Sequence, residues 1–247
     1  MTNLRYVVTK TSLVGIFLLF TGQLSGCNVQ ESQVEDQAVS LDISLEPVGD
    51  SDLQLDLLPM PFRLAFMAGH VRVGIALYRE GELQMAAPHL LHPVSETHAA
   101  ERVGLDKLGF DSVLFDQVSL ALENNRPAVE IESLLDKAEA NIALVTERVG
   151  GDRVAIIKFL LNTIIDEYSL SISDGNLTNI GEYQDAYGFS QVAINHARKL
   201  HETQYSGAEV RLENLTELWL LGPKPVDSPT PVVVLVDEVT AILASLQ

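Results

Sequence analysis

The stretch "PMPFRLAFMAGHVRVGIALYREG" (residues 59–81) indicates the fold class of the chain. It begins with a proline, which the first turn of a helix tolerates, and it ends at a glycine, which suits a helix C-terminus. Between these two ends, apolar side chains recur at helical spacing, at Phe62, Phe66, Val73 and Leu77. This stripe predicts a helix that packs one face against a protein core.

Similar segments, bounded by proline or glycine, follow to the end of the chain. Pro88 interrupts the second segment, and Pro93 ends it. The last segment contains "VVVLV", which has strand propensity, but its continuation has helical spacing and favours a helix after Pro231. We therefore predict an all-α, irregular bundle of about 7–9 helices, formed by residues 59–247.

The first 27 residues carry a different pattern. "MTNLRYVVTK" (residues 1–10) supplies two positive charges, "SLVGIFLLF" (residues 12–20) is a short apolar run, and "LSGC" (residues 24–27) follows. The order is that of a secretory signal peptide, and "LSGC" resembles the lipobox of bacterial lipoproteins. The resemblance implies cleavage after residue 26, diacylglycerol on the Cys27 sulfur, and an acyl chain such as palmitate on its amine.

The lipobox resemblance also implies a location in the cell envelope. Asn28 follows the cysteine, which favours the outer membrane, facing the periplasm, over retention in the inner membrane. Residues 28–58 hold eight acidic residues and no Lys or Arg, so we interpret residues 27–58 as a lipidated cysteine followed by an acidic flexible tether. The lipid would be the contact with the membrane, and a protein partner in the envelope is compatible with this placement.

Composition excludes several classes of function. Cys27 is the only cysteine, so a lipidated chain has no thiol for a disulfide, an iron–sulfur cluster, covalent haem or a cysteine nucleophile. Loss of Arg5 and Lys10 with the signal peptide would change the net charge from −18 to −20. Such an acidic surface disfavours nucleic acid and anionic lipid headgroups as partners, and it is compatible with metal ions.

The stretch "APHLLHPVSETH" (residues 87–98) is rich in metal-ligand side chains. On a continuous helix, His89, His92 and Glu96 would share one face, and His70 could face them if the first two helices form a hairpin. Imidazole and carboxylate are ordinary ligands of transition metals. Pro93 leaves the alternative open, because histidines near a proline at a helix end also bond free carbonyl groups.

A second group of candidate ligands lies near the C-terminal third of the chain. Asp185 and His196 fall on one helical face with Phe189 and Val192, so they could complete a site with the first hairpin. The alternative is that Asp185 is a first-turn acid, stabilised by the helix dipole. The candidate metal ligands are therefore His89, His92, His70 and Glu96, followed by Asp185 and His196.

No catalytic residues are predicted. The sequence lacks HExxH, the ferritin-like Glu-x-x-His, a P-loop, GxGxxG and the GxSxG nucleophile elbow, so a binding protein is favoured over an enzyme. We keep two hypotheses for the function. The first is a lipid-anchored helical protein that binds a metal ion or haem, and the second is an interaction module of the cell envelope without enzymatic activity.

Two further resemblances accompany these hypotheses. Residues 69–93, with Gly74, Leu77, Gly81 and Ala86, resemble part of a tetratricopeptide unit, which implies a helical hairpin in an interaction module. The exported, helical, His-containing chain is also similar in architecture to the imelysin-like periplasmic proteins linked to iron uptake. Their Gly-x-His-x-x-Glu motif is not met, because Gly69 directly precedes His70 and Val73 stands three residues after it.

Overall fold

The computed structural model describes residues 58–95, 99, 101–200, 205 and 207–247. These residues form eight α-helices, so the predicted all-α bundle of about 7–9 helices is confirmed. The helices are α1 (Met60–Arg79), α2 (Leu83–Leu91), α3 (Ser112–Glu123), α4 (Ala128–Val149), α5 (Arg153–Ser171), α6 (Ile180–Ala197), α7 (Ala208–Thr216) and α8 (Val232–Ser245). Two short 3₁₀ turns, His92–Val94 and Asp106–Leu108, lie between α2 and α3.

Extended structure is minor in this part of the chain. β1 (Ile172–Ser173) and β2 (Asn176–Leu177) pair antiparallel around a two-residue turn, in which Asp174 and Gly175 both have positive φ. A turn of this kind reverses the chain tightly, so α5 and α6 pack against each other along most of their length. β3 (Leu220–Pro223) lies between α7 and α8. The segment "VVVLV" is helical and begins α8, because Pro231 occupies its N-cap.

Several sequence predictions concern residues outside the described ranges. These are the signal peptide of residues 1–26, the lipidated Cys27 and nearly all of the tether of residues 27–58, all of which stay predictions. Among the described helices, none combines the length and apolar character that a bilayer crossing requires.

Helix α1 is central to the core and is buried on more sides than a surface helix. Side chains as far apart around its circumference as Met67, Val71, Val73 and Leu77 are all inaccessible to solvent. It packs against α2, α4, α5 and α6, with α6 as its most extensive neighbour. The amphipathic stripe predicted for this helix is therefore only part of its buried surface.

Two glycines allow α1 and α6 to approach closely. A Cβ atom placed on Gly188 would lie 2.3 Å from the carbonyl oxygen of Gly69, and a Cβ on Gly69 would lie 2.1 Å from the ring of Phe189. The first of these clashes is with backbone, which cannot move aside as a flexible side chain can. Glycine at position 188 is therefore required by the distance between the two helices.

We expect Gly188→Ala to lower the free energy of unfolding by about 1–3 kcal/mol, because the added methyl group must push α6 away from α1. Gly181→Ala, at the start of the same helix, is the matched control, since its Cβ would meet only an ordinary contact at 3.5 Å. That control should be neutral or stabilising by up to about 1 kcal/mol. Urea unfolding of both variants measures this, and equal effects at the two positions would contradict the interpretation.

Candidate metal centre

Three side chains from three helices meet in the core beside the glycine contact. They are His70 from α1, His89 from α2 and Asp185 from α6, each between 6 and 8 % exposed. The Oδ1 atom of Asp185 lies 2.7 Å from Nδ1 of His70 and 2.9 Å from Nδ1 of His89. One potential ligand atom from each residue lies within 4.8 Å of the other two, which is close enough for all three to hold one metal ion.

The hairpin of α1 and α2 brings the two histidines together. The chain reverses at Gly81, whose φ of +84° suits glycine, and α2 then runs back along α1. Gly74 allows the close approach, because a Cβ at this position would lie 2.6 Å from Leu90 and 3.2 Å from the Cβ of His89. The segment that resembles a tetratricopeptide hairpin is thus a helical hairpin here, and it carries His70 and His89 toward α6.

Gln184 determines which nitrogen of His89 carries a proton. Its Oε1 lies 2.9 Å from Nε2 of His89, and its Nε2 donates to the sulfur of Met85. With the amide held in this way, His89 donates from Nε2, so Nδ1 of a neutral ring presents a lone pair toward the Asp185 carboxylate. A second proton on His89, or a cation between the two groups, removes the resulting repulsion. Metal-ligating histidines commonly donate their other ring N–H to an oxygen in this manner.

The contacts of Asp185 are close but are not aligned as hydrogen bonds. Among the described residues, Oδ1 is buried and receives no hydrogen bond despite its distance of less than 3 Å from two imidazole nitrogens, and Nε2 of His70 is likewise buried without a partner there. Buried polar atoms without partners are rare in folded proteins, because each loses its hydration. A carboxylate oxygen with two imidazole nitrogens around it is an arrangement that a bound cation would satisfy.

The charges of the three groups depend on one another. Burial acts to raise the pKa of Asp185, but His70 and His89 outweigh it and hold the pKa well below its usual range. For His89, burial acts to lower the pKa, and Asp185 and Gln184 together outweigh it, so the pKa is raised. Asp185 is therefore a buried carboxylate that stays ionised, as a metal ligand must be.

Two further acidic side chains lie near Asp185. Glu167 on α5 shares a hydrogen bond with Glu182 on α6, and burial together with Glu182 raises the pKa of Glu167 to about 9. Glu167 therefore stays protonated at neutral pH. The charge of Glu182 also raises the pKa of His89. The electrostatic environment of the three-residue group thus favours a cation.

Aromatic rings enclose the group on the side of α1 and α6. The ring of His70 makes edge contacts with Phe66 and Phe189, with ring centroids 4.9 Å and 5.5 Å away, and the two phenylalanines stack on each other at 5.0 Å. These rings hold His70 in its orientation and keep water from that side. An apolar surround of this kind strengthens the electrostatic interactions of a metal site.

His92 is close to the group but is directed elsewhere. Its ring stacks on that of His70 at a centroid distance of 3.6 Å, while its Nε2 lies 3.0 Å from the carboxylate of Glu101, a side chain that is only 1 % exposed. In the part of the chain that the structure describes, His92 therefore borders the three-residue group and is directed toward Glu101. Glu96, another predicted ligand, lies outside the described residues.

His196 lies apart from the group, although it shares a face of α6 with Asp185. Eleven residues along a helix correspond to about 16 Å, which is too far for two ligands of one ion. His196 instead lines a cavity between α1, α4, α5 and α6. Gln184 and Glu101 were not singled out from the sequence. Gln184 contacts His89 across 95 residues of the chain and Glu101 contacts His92 across nine, and neither separation is a helical spacing that would indicate the contact.

The comparisons with known proteins concern the C-terminal part of the chain. Residues 146–247 match a family model described as the iron permease-associated 4-helix bundle domain. This segment contains α5 to α8. It therefore holds four helices, the number given in the description of the family. It includes Asp185 and Gln184, whereas His70 and His89 precede it. No curated protein and no solved structure matches the chain. The lipobox and imelysin resemblances are not tested by this match and stay predictions.

The isolated position of His196 predicts a pH effect on stability. Burial, with the nearby charges of Arg153 and Lys199, lowers the pKa of His196 to about 4 from an ordinary value of 6.5, while Glu147 opposes the shift. Between these two values the unfolded chain takes up the proton and the folded chain does not, so acid destabilises the fold. This contribution costs about 1.4 kcal/mol per pH unit as the pH falls from 6.5 to 4.

We expect His196→Gln to remove this contribution, so the stability of the variant should fall less steeply than that of the parent between pH 6.5 and 4. Urea unfolding at pH 7, 6, 5 and 4.5 measures the two slopes. The difference should vanish above pH 7, where His196 is neutral in both states. Parallel stability curves down to pH 4.5 would contradict the assignment.

Proposed function

We propose that the chain binds one transition-metal ion through His70, His89 and Asp185. The observation that carries this proposal is the approach of two imidazole Nδ1 atoms to one ionised, buried carboxylate oxygen, without an aligned hydrogen bond to it. Gln184 supports it, since it keeps the proton of His89 on the other nitrogen. The net charge of −18 favours cations generally, and the three-residue group gives that preference a location.

The donor set favours ferrous iron over harder or softer ions. Two imidazoles and one carboxylate form the ligand set of many non-haem Fe(II) sites, whereas Ca²⁺ and Mg²⁺ prefer oxygen ligands alone and Cu(I) prefers sulfur. The matched family is described by its association with an iron permease, which supports the same ion. A haem fits this arrangement poorly, because a macrocycle would have to separate donors that lie within 4.8 Å of one another.

We further propose that the helical domain of residues 59–247 holds this ion at the envelope membrane, where iron is transported. A signal peptide of residues 1–26, a lipid on Cys27 and an acidic tether to residue 58 would place it there. The lipobox sequence "LSGC" and the description of the matched family support this location. A metal site is favoured over an interaction module, because the inner face of the hairpin holds His70 and His89.

The metal proposal predicts one Fe²⁺ ion per chain. The protein is stripped with a chelator, loaded with Fe²⁺ without oxygen, and analysed for metal by mass spectrometry, with affinity from calorimetry and with Zn²⁺ and Cu²⁺ in parallel. His89→Gln and Asp185→Asn should each abolish stoichiometric binding, because each removes a ligand. His196→Gln is the matched control, as a buried histidine outside the group, and should bind as the parent does.

Gln184→Ala tests the contact between Gln184 and His89 separately from the three ligands. It leaves the three ligands in place but removes the acceptor for Nε2–H of His89, so Fe²⁺ affinity should fall by about 10–100-fold without loss of stoichiometry. The proposal is wrong if the parent protein retains no ion, or if the two ligand variants bind metal as tightly as His196→Gln does.

The location proposal predicts a covalent lipid on Cys27. In cells supplied with labelled palmitate, the protein should carry the label and sediment with membranes, and Cys27→Ser should lose both properties because the acceptor sulfur is gone. Ser25→Ala keeps a small residue in the cleavage site and should behave as the parent does. Labelling of the Cys27→Ser protein, or an unlabelled parent protein, would refute the lipid anchor.

A further inference from the structure

A second candidate site lies on the opposite side of α1 from the three-residue metal group. It is a cavity of about 290 Å³ between α1, α4, α5 and α6, close to the lower end of the usual size of small-molecule sites, which is about 300 Å³. Small and branched apolar side chains form much of its lining, among them Ala65, Ala68, Val71, Ile142 and Val192. Such a lining suits the apolar part of a small ligand.

Positive charge surrounds this apolar lining. Arg72, Arg153, Arg198 and Lys199 all line the cavity, whereas Glu139 is its one acidic lining residue. The chain as a whole carries a net charge of −18, with only 16 Lys and Arg residues in total. A quarter of all its Lys and Arg side chains therefore line one cavity, although the molecule as a whole is negatively charged. Charge of this sign attracts anions.

All four cations also contact acidic residues: Arg72 pairs with Glu139 at the lining itself, and the other three pair with acids that are not lining residues. Lys199 and Arg153 both contact Glu147, which is not a lining residue, and Arg198 contacts Glu209 and Glu213 beyond the cavity. Burial is the main cause that lowers the pKa of His196, and Arg153 and Lys199 lower it further while Glu147 opposes them. Among the charges that act on this imidazole, Arg153 and Lys199 therefore outweigh Glu147.

His196 also supplies an unused hydrogen-bonding atom. It is 5 % exposed, it lines the cavity, and its Nδ1 is buried without a hydrogen-bond partner in the part of the chain that the structure describes. At neutral pH the ring is uncharged, because its pKa is about 4. A buried nitrogen without a partner is costly, and a polar ligand group in the cavity would provide one.

We propose that this cavity binds a small organic anion that has a short apolar body and one anionic head, with a medium-chain carboxylate as the model. The apolar body would lie against the alanine and valine side chains of α1 and α6. The carboxylate would lie between Arg153 and Lys199, within reach of His196. Both the apolar lining and the excess of cations are needed for this choice, since either feature alone would accept a different ligand.

The test compares octanoate with octan-1-ol, which has the same chain and no charge, by calorimetry on the full chain. We expect one octanoate per chain and at least 10-fold weaker binding of the alcohol. Lys199→Gln should weaken octanoate binding by about 10-fold, the loss of one charge-assisted contact. Lys224→Gln is the matched control, because Lys224 also contacts a glutamate, Glu80, but does not line the cavity.

A variant that fills the cavity keeps the test independent of charge. Ala143 lines the cavity but is itself exposed, so Ala143→Phe should fold normally by circular dichroism and lose octanoate binding. The proposal is overturned if octanoate binds more weakly than about 1 mM, if the alcohol binds equally well, or if Lys199→Gln and Lys224→Gln behave alike. Because none of these variants touches His70, His89 or Asp185, the outcome is independent of the metal proposal.

Discussion

The close contact between Gly69 and Gly188 is the constraint on which the rest of the structure depends. At this point the backbones of α1 and α6 approach so closely that a methyl group on Gly188 would lie 2.3 Å from a carbonyl oxygen. His70 is the next residue on α1, and Asp185 lies one turn before Gly188 on α6. The distance between two backbones therefore fixes the 2.7 Å contact between an imidazole and a carboxylate. A longer distance would leave both groups buried and apart, which costs several kcal/mol.

The three-residue group of His70, His89 and Asp185 is built from two parts of the chain. α6, with Asp185 and Gln184, belongs to the segment that matches the iron permease-associated family, while His70 and His89 come from the hairpin before it. Neither part holds the three candidate ligands alone. Gly74 in the hairpin and Gly188 in α6 each remove a side chain where helices must approach, so the site depends on packing at two glycine positions as much as on its ligands.

The sequence was sufficient for the helices and insufficient for the site. Prolines at helix starts, glycines at helix ends and apolar stripes predicted the bundle, because these signals act within a few residues. His70, His89 and Asp185 were among the candidate ligands, but their selection over His92 and His196 depends on tertiary packing. The turn at Pro93 leaves His92 facing Glu101, and the length of α6 separates His196 from Asp185. Neither distance is encoded in local spacing.

The two candidate sites use opposite faces of α1 and different ends of α6. On α1, His70 and Arg72 are two residues apart, which separates them by about 200° around the helix axis, so one faces the metal group and the other the cavity. On α6, Asp185 lies near the start and His196 near the end, so the length of the helix separates the two sites. Positive charge at the cavity therefore stays away from Asp185, where it would compete with a bound cation. The three-residue group and the cavity with its basic residues can coexist in one small bundle because the buried apolar surface of α1 separates them.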